Sequence, residues 1–189
     1  MRILFLVGRD LLHPQAGGGD IQAWEWARYC VTQGDSVTYF CMGTVGLPHE
    51  EVREGIHIVR GRPGWLLPLL AFVHYSTHRR WIDVVYEDPV GAGRPPYLCP
   101  SYVRRPIITA WHQISRPLFL ANYPRPLATL LAFAERVIAR VYRRTVIRAP
   151  TSERAAELVS ELGFATDRVK VIPVSIAEQW FGGDEYALG

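Results

Sequence analysis

Short apolar runs alternate along the chain with segments whose apolar positions recur at helical spacing. Residues 2–7 form a continuous apolar run, as expected of a strand covered on both faces of a sheet. Shorter runs predict six further strands, at residues 36–42, 54–60, 83–86, 107–111, 145–149 and 169–172. Helical spacing predicts four helices, at residues 20–33, 66–81, 127–142 and 152–162.

Strands interleaved with helices predict an α/β fold with a doubly wound, mostly parallel sheet of the Rossmann-like type, in a single domain with helices on both faces. Residues 91–106 are rich in proline and predict a loop or broken helix. In the third helix one apolar face is expected to pack on the sheet; it consists of Leu127, Leu130, Leu131, Ala134, Val137, Ile138 and Val141.

The first predicted strand leads through a loop into Gly17-Gly18-Gly19-Asp20, where the first helix begins. Glycines at this place let another molecule approach the backbone, and the start of a helix favours an anion such as phosphate. In a parallel sheet such a site lies at the carboxyl ends of the strands. The alternative is that the glycines only form a tight turn, and the cluster alone does not distinguish the two.

The 189 residues are 49% apolar and 21% charged with a net charge of +3, which is typical of a globular chain. The cysteines Cys30, Cys41 and Cys99 lie far apart, which predicts neither a disulfide framework nor a zinc site and fits a reducing cytoplasm. The longest apolar stretch, residues 65–73, is far shorter than the ~20 residues needed to span a bilayer. We therefore expect a cytoplasmic protein, either soluble or peripheral to a membrane.

Four segments in this order carry a family resemblance: Gly17-Gly18-Gly19-Asp20; Gly34-Asp35-Ser36-Val37; Ile108-Thr109-Ala110-Trp111-His112; and Pro150-Thr151-Ser152-Glu153 through Gly163 to Lys170-Val171-Ile172-Pro173. Together they resemble the N-terminal domain of retaining glycosyltransferases of the GT-B fold, in the large family four (group 1). Two positions depart from that family's pattern. Asp35 replaces the usual histidine, and Val174-Ser175-Ile176 replaces the usual Asn-Gly and acidic residue.

The resemblance implies an enzyme of two domains, of which this chain supplies the first. Residues 1–176 would be the acceptor-side domain and residues 177–189 the start of an interdomain linker or a tail. The nucleotide sugar would bind to a C-terminal domain that this sequence lacks. The resemblance further implies a nucleoside-diphosphate sugar as donor, a sugar or lipid-linked acceptor, and no cofactor. We therefore expect the chain alone not to transfer sugar.

His112 is the predicted catalytic residue, because a histidine after a central strand faces the ligand crevice and can hydrogen-bond a sugar hydroxyl or a developing charge. A histidine that merely ends a strand is the alternative. The predicted substrate-binding residues are Gly17, Gly18, Gly19, Asp20, Glu87, Asp88, Gln113 and Arg116. A solvated strand end would explain Glu87 and Asp88 equally well. A favourable charge at the start of a helix would equally explain Asp20, and a position in a surface loop is the better explanation of Arg116.

Residues 125–148 carry six arginines and a single carboxylate, Glu135. One interpretation is contact with anionic lipid headgroups, as in family members with lipid-linked acceptors; the other is the solvated side of a packed helix, with Arg136, Arg140, Arg143 and Arg144 opposite the leucines. No nucleic-acid partner is expected, because the chain has no recognised nucleic-acid module. His74 and His78 have a spacing that a metal site can use, but without a matching carboxylate a surface helix is favoured and no metal is expected.

Two other classes of function compete with sugar transfer. A dinucleotide-binding oxidoreductase is disfavoured, because the order G-x-G-x-x-G is missing. A non-catalytic module that binds a sugar or nucleotide, or regulates another protein, stays open because the same fold serves many functions.

Overall fold

The computed structural model describes residues 1–62, 64–89 and 95–173. Within these ranges the strands are β1 (Arg2–Leu6), β2 (Ser36–Met42), β3 (Glu50–Arg53), β4 (Ile56–Gly61), β5 (Val84–Glu87), β6 (Ile107–Ala110), β7 (Val146–Ala149) and β8 (Val169–Val171). They form one sheet in the order β3-β4-β2-β1-β5-β6-β7-β8, in which only β3 and β4 pair antiparallel. The predicted doubly wound, mostly parallel sheet is confirmed.

Helices cover both faces of this sheet: α1 (Gly18–Thr32) on one, and α2 (Leu67–His78), α3 (Arg116–Asn122), α4 (Arg125–Val141) and α5 (Ser152–Leu162) on the other. Right-handed crossovers explain why α1 lies on one face and the later helices on the other. The connection through α1 runs from β1 toward the β3 edge of the sheet, whereas the later connections run toward the β8 edge. Trp24 of α1 packs on Phe5, whereas Leu67 of α2 packs on Leu4 and Leu6. Residues in register with Leu6 continue that second face as far as Ile147, which lies beneath α4 and α5.

The sequence pattern did not predict two elements, β3 and α3. Strand β3 is a polar edge strand, and the predicted strand 54–60 begins instead with a two-residue hairpin turn in which Glu54 and Gly55 have φ values of 53° and 80°. Helix α3 was not predicted at all. The predicted loop 91–106 contains a 3₁₀ turn at Cys99–Ser101. The first four residues of this loop lie outside the described part of the chain. The predicted domain end at residue 176 and the predicted linker 177–189 also lie outside it.

Helix α4 packs with a face other than the predicted one. Its buried residues are Ala128, Ala132, Glu135 and Ala139, whereas the side chains on the predicted packing face are exposed or half-buried. At 100° per residue the prediction is wrong by about a third of a turn. The periodicity of this helix selects the leucine face, whereas the inner face carries alanines, which let the helix approach the sheet closely.

The orientation of α4 predicts opposite results for two substitutions. Ala139→Leu is expected to lower the free energy of unfolding by about 1–3 kcal/mol, because the larger side chain must enter a filled interface. Leu130→Gln should change it by less than about 0.5 kcal/mol, because the leucine is 61% exposed. Urea denaturation followed by circular dichroism measures both, and the reverse ranking would contradict this packing.

The basic segment 125–148 is also divided by the fold. Arg136, Arg140, Arg143 and Arg144 are exposed. Arg148, which the sequence grouped with them, is buried on the α1 face, where its guanidinium stacks over Trp26 at 4.4 Å. The expected basic surface therefore consists of four of these arginines together with Arg125. No helix in the described ranges is long and apolar enough to cross a membrane.

Candidate functional site

The candidate site lies where the carboxyl ends of β5 and β6 meet the start of α1. Side chains alternate between the faces of a strand, and Tyr86 and Ala110 belong to the core beneath α1. Asp88 and His112, each two residues further along, therefore point to that same face. The loop after β1 brings Gly19, in the first turn of α1, to the same place.

Distances confirm that the glycine turn and the histidine are neighbours. The Nε2 atom of His112 lies 3.5 Å from Oδ2 of Asp88. A Cβ atom added to Gly19 would lie 3.5 Å from the same Nε2 and 3.8 Å from the same Oδ2. The side chains of His112 and Asp88 are 26% and 13% exposed, so a solute can reach the group from solvent.

The glycines themselves leave unused space at the start of α1. Gly17 has an extended backbone with φ of −128°, and neither Gly18 nor Gly19 has a positive φ, so the turn does not require glycine. A Cβ atom at Gly17 or Gly18 would meet nothing within 4 Å. The tight-turn explanation is therefore insufficient. Backbone N–H groups in a first helical turn have no helical acceptor, so this space faces free donors at the positive end of the helix dipole.

Asp20 is explained by the helix itself. Its Oδ2 accepts a hydrogen bond of 2.9 Å from the backbone N–H of Gly17, as in a capping box. Burial raises the pKa of the Asp20 carboxyl above its usual value, while the hydrogen bond from Gly17 acts in the opposite direction. Of the two interpretations that the sequence left open, the structure shows the favourable contact with the helix start.

Glu87 lies apart from the group around His112, and its role in substrate binding stays a prediction. Successive strand residues point to opposite faces, so Glu87 faces the side of α4 while Asp88 faces α1. Glu87 is fully buried, and the hydroxyl of Tyr142 donates a hydrogen bond of 2.6 Å to its Oε1. The carboxylate therefore ties α4 to the sheet.

Gln113 and Arg116 are both exposed. Gln113 directly follows His112. Arg116 begins α3 and lines a cavity of about 280 Å³ between α3 and α5, together with Glu157 and Glu161. Arg116 therefore lies beside residues of α5 and not beside the group around His112. Its role in substrate binding stays a prediction.

A buried ion pair that the sequence did not reveal supports the glycine loop. Asp10 and Arg60 are each 1% exposed, and Oδ2 of Asp10 lies 2.5 Å from Nε of Arg60. Arg60 also donates to the carbonyl oxygen of Pro48 and to Oε1 of Glu51, each at 2.9 Å. Burial alone would lower the pKa of Arg60, but the hydrogen bonds to the two carboxylates outweigh it and raise the pKa. Since Asp10 lies between β1 and α1, the pair fastens that loop to β4.

Across the sheet lies a larger cavity, of about 510 Å³, beside α2 and the carboxyl ends of β2 and β4. Its lining is mainly apolar and includes Phe40, Val59, Leu70 and Val73. His74 also lines it, and burial lowers the pKa of this histidine to about 4. The ring of His74 stacks on that of His78 with centroids 4.5 Å apart, and no group of three or more metal-ligating side chains occurs among the described residues.

The family model of Glycosyltransferase Family 4 matches residues 16–179. Similar solved structures include sucrose-phosphate synthase from Thermosynechococcus elongatus, with a TM-score of 0.67 and 12% identity over 92% of this chain and 48% of that chain. HepE from Anabaena, in complex with UDP and glucose, has a TM-score of 0.60 and 17% identity over 95% of this chain and 46% of that one. The catalytic domain of starch synthase IV from Arabidopsis thaliana, bound to ADP and acarbose, has a TM-score of 0.60 and 9% identity over 97% and 54% of the two chains.

No curated protein sequence matches this chain. At these identities the structural likeness shows the fold alone, which is that of GT-B glycosyltransferases, and the chain spans about half the length of the solved structures it resembles. The family model, in contrast, covers most of the 189 residues and includes both the glycine turn and His112. This chain belongs to Glycosyltransferase Family 4.

Proposed function

We propose that the chain is the acceptor-side domain of a retaining glycosyltransferase that uses a nucleoside-diphosphate sugar as donor. The observation that carries the proposal is the first turn of α1, where Gly18 faces open space and Gly19 lies against His112 and Asp88, although neither glycine has a positive φ. Family membership supports transfer over dinucleotide-dependent oxidoreduction. HepE and starch synthase IV hold UDP and ADP, which is consistent with a nucleotide-sugar donor.

In this proposal the two kinds of group have different tasks. The N–H groups at the start of α1 attract oxygens of the donor phosphates or of the acceptor. His112 hydrogen-bonds the transferred sugar where charge develops, and the carboxylate of Asp88 holds the imidazole in place. Departure of the nucleoside diphosphate is assisted by positive groups of a second, donor-binding domain. The chain alone is therefore inactive in transfer.

Gly18→Val tests the role of the open space. The branched side chain projects into space that the protein leaves free, so we expect the thermal midpoint of the 189-residue chain to change by no more than about 2 °C. In the enzyme that this domain forms with a donor-binding domain, kcat/KM should fall at least about tenfold, because the substrate loses its approach to the backbone. Release of UDP, ADP or GDP from a panel of nucleotide sugars measures the reaction.

Ala121→Val, at an exposed position of α3, serves as the matched control and should leave kcat/KM unchanged. Unchanged kcat/KM in Gly18→Val would remove the start of α1 from the site. Sugar transfer by the 189-residue chain alone would contradict the proposed division of labour between two domains.

A further inference from the structure

Three pairs of consecutive arginines precede three neighbouring strands. Arg79-Arg80 precedes β5, Arg104-Arg105 precedes β6 and Arg143-Arg144 precedes β7, and all six residues are exposed. These strands are adjacent and parallel, so their amino ends lie side by side at spacings of about 4.8 Å. The fold therefore gathers six guanidinium groups along the amino-terminal edge of the sheet, here named the basic edge.

The positive charge of the basic edge is not compensated. Residues 55–82 contain no carboxylate, and residues 89–152 contain only Glu135, which is buried. The nearest carboxylate in sequence, Asp83, is engaged by Arg2 at 2.8 Å. Within the described ranges none of the six arginines has an ion-pair partner. The modest net charge of +3 thus hides a strongly positive region.

An exposed apolar surface adjoins this edge. Helix α4 leads from the carboxyl end of β6 to the amino end of β7, so its second half approaches the basic edge. Its outward residues, here named the apolar face of α4, are Leu127, Leu130, Phe133, Val137 and Val141, all exposed. Arg136 and Arg140 lie beside that face, and Trp81, next to the first arginine pair, is 68% exposed.

These two surfaces together fit a partner that offers anions and an apolar phase at the same boundary. An anionic bilayer offers both, because phosphate groups lie at its surface and acyl chains directly beneath, where an amphipathic helix can rest. Exposed tryptophan is typical of that boundary. Nucleic acid would match the arginines but not the apolar face, and a second copy of the chain would bring one positive edge against another.

We propose that the basic edge and the apolar face of α4 together dock on an anionic phospholipid membrane. The surface differs from the sequence-based expectation for residues 125–148, because it includes two arginine pairs from outside that segment and excludes Arg148 and Glu135. The basic edge lies at the amino ends of the strands, opposite the carboxyl ends that carry His112. The proposal does not depend on which reaction the candidate site performs.

Co-sedimentation of the 189-residue chain with vesicles tests this docking. We expect binding to vesicles of 70% phosphatidylcholine and 30% phosphatidylglycerol in about 0.1 M salt, and at least about tenfold weaker binding to pure phosphatidylcholine or in about 0.5 M salt. Leu130→Glu/Phe133→Glu and, separately, Arg104→Gln/Arg105→Gln should each weaken binding to the anionic vesicles about tenfold or more. All four side chains are exposed, so the fold should tolerate both changes.

Matched controls separate a surface from an effect of total charge. Arg62→Gln/Arg154→Gln removes the same charge at the carboxyl ends of the strands, and Val45→Glu/Val52→Glu adds the same charge at exposed apolar positions elsewhere; both should bind as the parent does. No binding to anionic vesicles, or equal loss in the controls, would overturn the proposal. So would binding of duplex RNA without vesicle binding, or dimer formation that Leu130→Glu/Phe133→Glu abolishes in the absence of lipid.

Discussion

Replacing His112 by alanine is expected to lower kcat of the two-domain transferase about 100-fold or more and to change KM for the donor little. The imidazole lies at the carboxyl end of β6, 3.5 Å from Asp88, with one side open to solvent. A hydrogen bond that strengthens as charge develops on the reacting sugar contributes to kcat rather than to ground-state binding. Steady-state kinetics with varied donor, at saturating acceptor, separate the two parameters.

A second substitution and a control make this result interpretable. His112→Gln keeps one hydrogen-bond donor and should retain more activity than His112→Ala. His78→Gln changes an exposed histidine on α2, across the sheet from the site, and should leave both kinetic parameters unchanged. If kcat of His112→Ala stays within about twofold of the parent, or if only KM rises, His112 is a binding residue at most.

The sequence predicted the meeting of His112 and the glycine turn because both lie at the carboxyl ends of strands that a parallel sheet aligns. Buried parallel strands appear as continuous apolar runs, so their order and ends could be inferred without coordinates. The same rule of alternating side chains could also have separated Glu87 from Asp88. Glu87 is the last residue of β5 and Asp88 is the next residue, so alternation directs their side chains to opposite faces of the sheet.

Other features had no local signal. Strand β3 is formed by Glu50–Arg53, in which polar residues hide the alternation, and it is stabilised by pairing with β4. The inner face of α4 is chosen by close packing of alanines, which a pattern of apolar positions does not show. The contact between Asp10 and Arg60 joins residues 50 positions apart, so only the folded chain brings it together.

That contact leads to the largest expected effect on stability. Arg60→Met should lower the free energy of unfolding by about 3–5 kcal/mol, because the carboxylate of Asp10 would stay buried without its cation. For a chain of this size the thermal midpoint should fall by roughly 10 °C. The matched control is Arg154→Met, which removes the exposed pair with Glu157 and should cost less than about 1 kcal/mol.

A double-mutant cycle with Asp10→Asn distinguishes loss of the pair from loss of packing. If the charges interact across the 2.5 Å contact, Asp10→Asn/Arg60→Met should be more stable than the sum of the two single changes predicts, by about 1 kcal/mol or more. Additive effects would mean that each side chain acts through its own contacts, such as that of Arg60 with Pro48. Because the loop after β1 carries both Asp10 and the glycine turn, a coupled pair would also explain how strand β4, remote from His112, keeps the candidate site in place.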